Sequence, residues 1–311
     1  MPIIRINADG AYPVLHDSPR AVNKALTDAL QRDGPVVIMV HGYRFLPHDP
    51  LHCPHTHIFS TRKTHDCPKA LSWPQHLGIA DRPHGAGIAI AFGWAARRGL
   101  RTAQQTAEVA ASALVRVVRM VRQMAPEKPI NLIAHSMGAH LALSAMSMLT
   151  PGDLARVVLL NGATYQSHAE RALQSPAGQL CELFNVVSNE NRIYDTLFEC
   201  VFPKQTPSDR ALGRGLEGKN VLTIRIDRQP VLEALGAKGF GIAPARHFHC
   251  HWSTYLRPGV FSFYRTLLIT PETLPFYALK SLLEEVEHQT RPTNWRLPLP
   301  GPLPGFAKQA S

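Results

Sequence analysis

Residues 131–140 read Asn-Leu-Ile-Ala-His-Ser-Met-Gly-Ala-His, "NLIAHSMGAH". The apolar run Ile130–Ala134 has the character of a buried strand, and Met137–Leu149 that of a helix stopped by Pro151-Gly152. Ser136 stands at the junction, with Ala134 two residues before it and Gly138 two residues after. A serine held on a sharp, positive-φ turn from strand to helix tolerates only small residues at those two places. Its hydroxyl then projects from the carboxyl end of the strand, where parallel sheets bind their ligands. The first turn of the helix presents free N–H groups there, and that of Met137 is placed to receive an oxyanion. The plainer alternative is a serine that merely N-caps a helix.

Working outward, short β-branched runs alternate with helical patterns, which predicts parallel βαβ units. The expected strands are Ile3–Ile6, Val36–Val40, Gly87–Phe92, Ile130–Ala134, Val157–Leu160, Leu183–Val187 and Val221–Ile226. Several are apolar without alternation, as strands covered on both faces should be. Helices are expected over Pro19–Arg32, capped by Ser18, and over Thr102–Met124, ended by Pro126. The fold class is α/β: a three-layer α/β/α sandwich around a mostly parallel sheet. Residues 1–290 are expected to form one domain, and the Pro-rich 291–311 a surface tail.

The segments "AHSMGAH" (134–140) and "HGYR" (41–44), each after a predicted strand, resemble the α/β-hydrolase superfamily, and the strand order extends the resemblance over roughly residues 35–270. Ala134 departs from the glycine most common there but is small enough for the turn. The resemblance implies a serine hydrolase of the esterase or lipase-like kind, acting on a small-molecule ester with no cofactor. Ser136 would be the nucleophile, and Tyr43 would supply the second oxyanion N–H beside Met137. In that superfamily the chain order is serine, acid, histidine. The base is therefore expected beyond Val221–Ile226, where His247, His249, His251 and His288 lie. His251 opens "HWSTYLRPG", which resembles the His-bearing loop of a group of bacterial hydrolases; His249 is the reserve. The acid should follow "LFNVV" (183–187), where Glu190 sits at the usual reach and Asp195 is the alternative. The same fold also serves acyltransferases, thioesterases and non-catalytic binding proteins.

Composition narrows the remaining classes. The 311 residues are 45% hydrophobic and 18% charged, enough for one substantial core. A net charge of +10 raises the question of nucleic acid, but the basic residues are scattered, and a solvated basic surface is the expectation. Five cysteines without a CxxC pair suit a reduced compartment. With neither a signal peptide nor an apolar run of membrane length, a cytoplasmic protein is expected. Residues 44–86 are rich in His, Pro and Cys and too long for a simple strand connection. No His/Cys ligand spacing repeats within them, so the expectation is a lid-like insertion whose "SWPQHLG" (72–78) walls an acyl pocket, with no metal.

Overall fold

The computed structural model describes residues 3–62, 66–80 and 87–290. The predicted tail at 291–311 and parts of the insertion, His65 and His84 included, lie outside the described residues. The strands are β1 (Ile3–Asp9), β2 (Tyr12–Leu15), β3 (Val36–Val40), β4 (Ile88–Gly93), β5 (Ile130–His135), β6 (Arg156–Leu160), β7 (Glu182–Val187) and β8 (Val221–Arg225). They form one sheet in the order β2-β1-β4-β3-β5-β6-β7-β8. Every pairing is parallel except that of β2, which folds back on β1. The helices are α1 (Val22–Leu30), α2 (Trp73–His76), α3 (Leu100–Met124), α4 (Met137–Met146), α5 (Gln166–Gln174), α6 (Arg192–Val201), α7 (Gln229–Ala237), α8 (Ser253–Leu256), α9 (Val260–Ile269) and α10 (Phe276–Thr290).

All residues of β3, β4, β5 and β6 are buried. The period-2 alternation of strand side chains divides them between two cores. Val36, Ile38 and Val40 face the core made with α1, α3, α4 and α5. Val37 and Met39 face the opposite one, with α7, α9 and α10. This is the expected three-layer α/β/α architecture. On α3, Ala103, Ala107, Ala110, Ala111 and Ala113 are buried, and such short side chains let the helix lie close to its neighbours.

Three local expectations differ. The first helix is shorter, Val22–Leu30, because Ser18 accepts from the N–H of Arg20 in a turn ahead of it and does not cap it. The first strand runs on to Asp9 and turns at Gly10 into β2, a hairpin partner too short and too exposed to show a pattern. The insertion is built into the second core: Ile58, Phe59, Trp73, Leu77 and Ile79 are buried there, and Trp73 packs edge-on to Tyr255 at 5.4 Å. Trp73 and Leu77 of "SWPQHLG" are core residues, where a pocket wall was expected. No described helix is long and apolar enough to cross a membrane.

Candidate active site

Strand register assembles this site. Val40 of β3 lies opposite Ala134 of β5, and His135 lies opposite Leu160 of β6. The residues that follow these strands therefore emerge side by side at one edge of the sheet. Ser136 has φ 55 and ψ −124, a backbone that an L-residue rarely adopts and that persists only where its surroundings impose it. Its N–H donates to Leu160 O at 3.0 Å and its carbonyl accepts from Ala163 N at 2.9 Å, which anchors the turn to β6. A Cβ at Gly138 would stand 2.5 Å from the carbonyl oxygen of His41 and 2.9 Å from that of Val40. These are backbone atoms at the end of the central strand β3 and of the residue that follows it, so they cannot give way cheaply. Gly138→Val is expected to lower the thermal midpoint and the yield of folded protein, in the 1–3 kcal/mol range typical of overpacking or more. A variant that melts like the wild type would contradict this account of the turn.

The structure brings His251 to Ser136. Its Nε2 lies 2.7 Å from Ser136 Oγ, and its Nδ1 lies 2.6 Å from Oδ1 of Asn191. The Nδ2 of Asn191 donates to Asp195 Oδ1 at 2.9 Å. The donors align in one direction: Asn191 offers its carbonyl to the ring because its amino group is engaged by Asp195, so Nδ1 carries the imidazole proton and Nε2 is free to accept from serine. The backbone carbonyl of His251 is itself held, by Asn161 Nδ2 at 3.0 Å and His135 Nε2 at 3.1 Å. The Tyr194 ring lies over the imidazole with 4.8 Å between centroids. Burial, then the neighbouring His135 and Lys69, hold the His251 pKa well below the ordinary histidine value.

Neither carboxylate expected as the acid touches this imidazole. Glu190 turns away into a buried ion pair with Arg257 and also accepts from Ser188 Oγ at 3.0 Å and from the N–H of His247 at 3.2 Å. Burial favours the neutral acid there, but the Arg257 guanidinium and these donors outweigh it and depress its pKa. Its backbone carbonyl accepts from Cys250 N at 2.9 Å, so Glu190 fastens the loop that carries His251. Asp195 reaches the ring only through Asn191, and burial pushes its pKa up to about 7. Glu190→Gln leaves Arg257 charged in a site where both side chains are at most 4% exposed. Breaking one side of such a pair costs about 3–5 kcal/mol. Chemical denaturation should show a large loss of stability; an unchanged midpoint would refute the buttressing role.

Gly42 places the other side of the site. A Cβ there would stand 2.7 Å from Ser136 Cβ, so only glycine lets the backbone of residues 42–43 run alongside the serine. The Arg44 N–H is engaged by Ala96 O at 3.0 Å, whereas the N–H of Tyr43 has no acceptor among the described residues. Met137 opens α4, so its N–H is outside the helical ladder. His41 braces the turn: its Nε2 accepts from Trp94 N at 3.0 Å, its Nδ1 donates to Gly42 O at 2.8 Å, and its ring stacks on Trp94. Burial lowers its pKa to about 3, which keeps the ring neutral as this bonding requires. A recess of about 370 Å³ beside it is lined by Tyr43, Arg44, His52 and Arg97. From the insertion, Lys69 Nζ lies 3.3 Å over the Trp252 ring, next to His251. His249 and His288 form no part of this constellation. Asn191, Asn161 and His135 are not legible in the sequence: the amides carry no charge to mark them, and His135 acts by holding a backbone carbonyl 116 residues away.

Parallel sheet order, a strained serine after the central strand and a histidine delivered beyond the last strand define a class: the chain has the α/β-hydrolase fold. More particularly, residues 18–161 match a family described as "Alpha/beta hydrolase of unknown function (DUF900)". The match takes in His41-Gly42-Tyr43 and Ser136 and ends before Asn191 and His251. No curated protein matches the chain.

Proposed function

We propose that this protein is a serine hydrolase that cleaves carboxylic esters through an acyl-enzyme intermediate. The observation that carries the reading is the aligned chain Ser136 Oγ, His251 Nε2, His251 Nδ1, Asn191 Oδ1. A serine hydroxyl is a weak nucleophile until a base within hydrogen-bond reach takes its proton. Ser136 Oγ attacks the ester carbonyl while its proton passes to His251 Nε2, and the carbonyl oxygen becomes an oxyanion facing the N–H groups of Met137 and Tyr43. Collapse expels the alcohol, protonated by Nε2–H. Water, deprotonated by His251, then attacks the acyl-serine and releases the acid.

Asn191 replaces the usual carboxylate as the group that orients the imidazole. Being neutral, it fixes tautomer and direction but adds no charge; Asp195 behind it supplies one when ionised. This gives a two-step pH profile. Activity requires neutral His251, so it rises with pH through a pKa displaced below about 6.5. A smaller rise follows near pH 7, where Asp195 ionises and becomes a better acceptor for the Asn191 amide. Asp195→Asn should abolish the second rise and keep the first. A single rise at the ordinary histidine value in both proteins would count against the arrangement.

The direct test is a panel of chromogenic esters with mass spectrometry of the quenched enzyme. An acyl adduct on the peptide containing Ser136, and free acid as product, are expected. Absence of both adduct and turnover across the panel would defeat the proposal. Transfer of the acyl group to an added alcohol or thiol in preference to water would make it an acyltransferase.

A further inference from the structure

A second constellation stands where β1, the end of β2 and the insertion meet. The amide of Asn7, on β1, is surrounded by three imidazoles: its Nδ2 is 3.1 Å from His16 Nδ1 and 3.2 Å from His48 Nε2, and its Oδ1 is 2.7 Å from His55 Nε2. His16 lies between the other two rings, at 4.3 Å from His48 and 4.2 Å from His55. Gly93 makes the room: a Cβ there would stand 2.6 Å from Asn7 Oδ1 and 2.8 Å from His55 Nε2. The outer nitrogens of two of these rings converge on one carboxylate, with His16 Nε2 2.9 Å from Asp17 Oδ2 and His48 Nδ1 3.3 Å from Asp17 Oδ1.

We propose that His16, Asp17 and His48 form a binding site for a divalent transition-metal ion of the zinc class. The three residues offer ligand atoms that all lie within 4.8 Å of one another. Tetrahedral nitrogen and oxygen ligands at about 2.0–2.2 Å from zinc stand roughly 3.3 Å apart, so little movement is needed to admit the ion. Two imidazoles and a carboxylate are the donor set that borderline divalent ions take. The thiol of Cys53 adds a soft donor on the buried side, 3.8 Å from His16 Nε2.

Two further observations separate this cluster from an ordinary histidine–aspartate pair. Among the described residues five non-glycine residues have positive φ: Arg44, Ser136 and Asn161 belong to the Ser136 site or its approach, and the other two are Asp17 (φ 55) and His48 (φ 66). Aspartate and histidine enter this region more readily than most residues, yet here both do so to aim at one point. The second observation is the amide of Asn7. Metal ligation through His16 Nε2 and His48 Nδ1 leaves N–H groups on the opposite sides of both rings, and these need an acceptor. Turned by 180°, the Asn7 amide presents Oδ1 to both and Nδ2 to His55; His55 Nδ1 has no partner among the described residues as it stands. Such an ion would tie the β1–β2 hairpin to the loop five residues after Tyr43. The expectation of no metal rested on spacing inside the insertion, whereas two of these ligands come from outside it.

The test uses the full chain without an affinity tag, stripped of metal and titrated with Zn²⁺ by calorimetry and with Co²⁺ by visible absorption. One equivalent at micromolar Kd or tighter is expected, with a rise in thermal midpoint at saturating Zn²⁺. His48→Ala and Asp17→Asn alter largely exposed side chains and should leave the fold intact. Each should weaken binding at least tenfold, while His52→Ala, which alters a neighbouring pair with Asp49, should not. The proposal is overturned if the wild type takes up no stoichiometric ion, or if both variants retain the wild-type affinity.

Discussion

Ser136→Ala is expected to yield a folded protein with ester turnover lowered by about 10⁶-fold, down to what the oxyanion donors and binding alone provide. The hydroxyl makes one side-chain bond, to His251 Nε2 at 2.7 Å, and the turn is anchored through backbone atoms, so its removal leaves the fold undisturbed. His251→Ala should cost about as much, because nucleophile and base act as a unit and the losses do not add. The double variant should therefore be no worse than either single one. Both single variants should escape labelling by a fluorophosphonate probe that marks the wild type. An Ser136→Ala enzyme within tenfold of wild type would place the chemistry elsewhere.

Asn191→Ala should be the next most damaging change, lowering kcat by roughly 10³-fold, less than the roughly 10⁴-fold that follows loss of a charged orienting group because the amide contributes no charge. Without Oδ1 at 2.6 Å, nothing holds the proton on His251 Nδ1 or the ring against Ser136. Asp195→Ala acts one step further back. It frees the Asn191 amide to rotate, and a rotated amide donates to Nδ1 and so selects the wrong tautomer. Its kcat should fall by about 10²-fold or more, with KM little changed, whereas Asp195→Asn, which still offers an acceptor to Nδ2, should retain more activity. Full activity in Asn191→Ala, or Glu190→Gln losing turnover without losing stability, would return the orienting role to Glu190.

Those two substitutions bear on why Asn191 could not be found from sequence. Residues 188–191 read Ser-Asn-Glu-Asn after β7, and a search for a charged partner selects the carboxylate. Which of the neighbouring side chains enters the crevice is set by a single 3₁₀ turn, Asn189–Asn191, and by Arg257, far along the chain, which draws Glu190 to itself. Electrostatic competition of that kind has no local signature. The insertion illustrates the same limit in packing terms: Phe59 and Trp73 are fully buried, but they come from short, irregular turns with no periodicity to mark them.

By itself the sequence determined the parts of this protein that depend on short-range sterics. Apolar strand runs required a covered parallel sheet, and small residues flanking Ser136 required a strained turn, because each is a property of a few consecutive residues. Chain order then confined the expected base to His247, His249, His251 and His288, and the resemblance of "HWSTYLRPG" to a hydrolase loop pointed to His251 among them. Tertiary structure alone decided the partner of the imidazole, the donors that hold its backbone, and the meeting of His16, Asp17 and His48 around Asn7. Each of these rests on register between distant strands and on which buried charge finds its counter-charge first, and those are properties of the assembled fold.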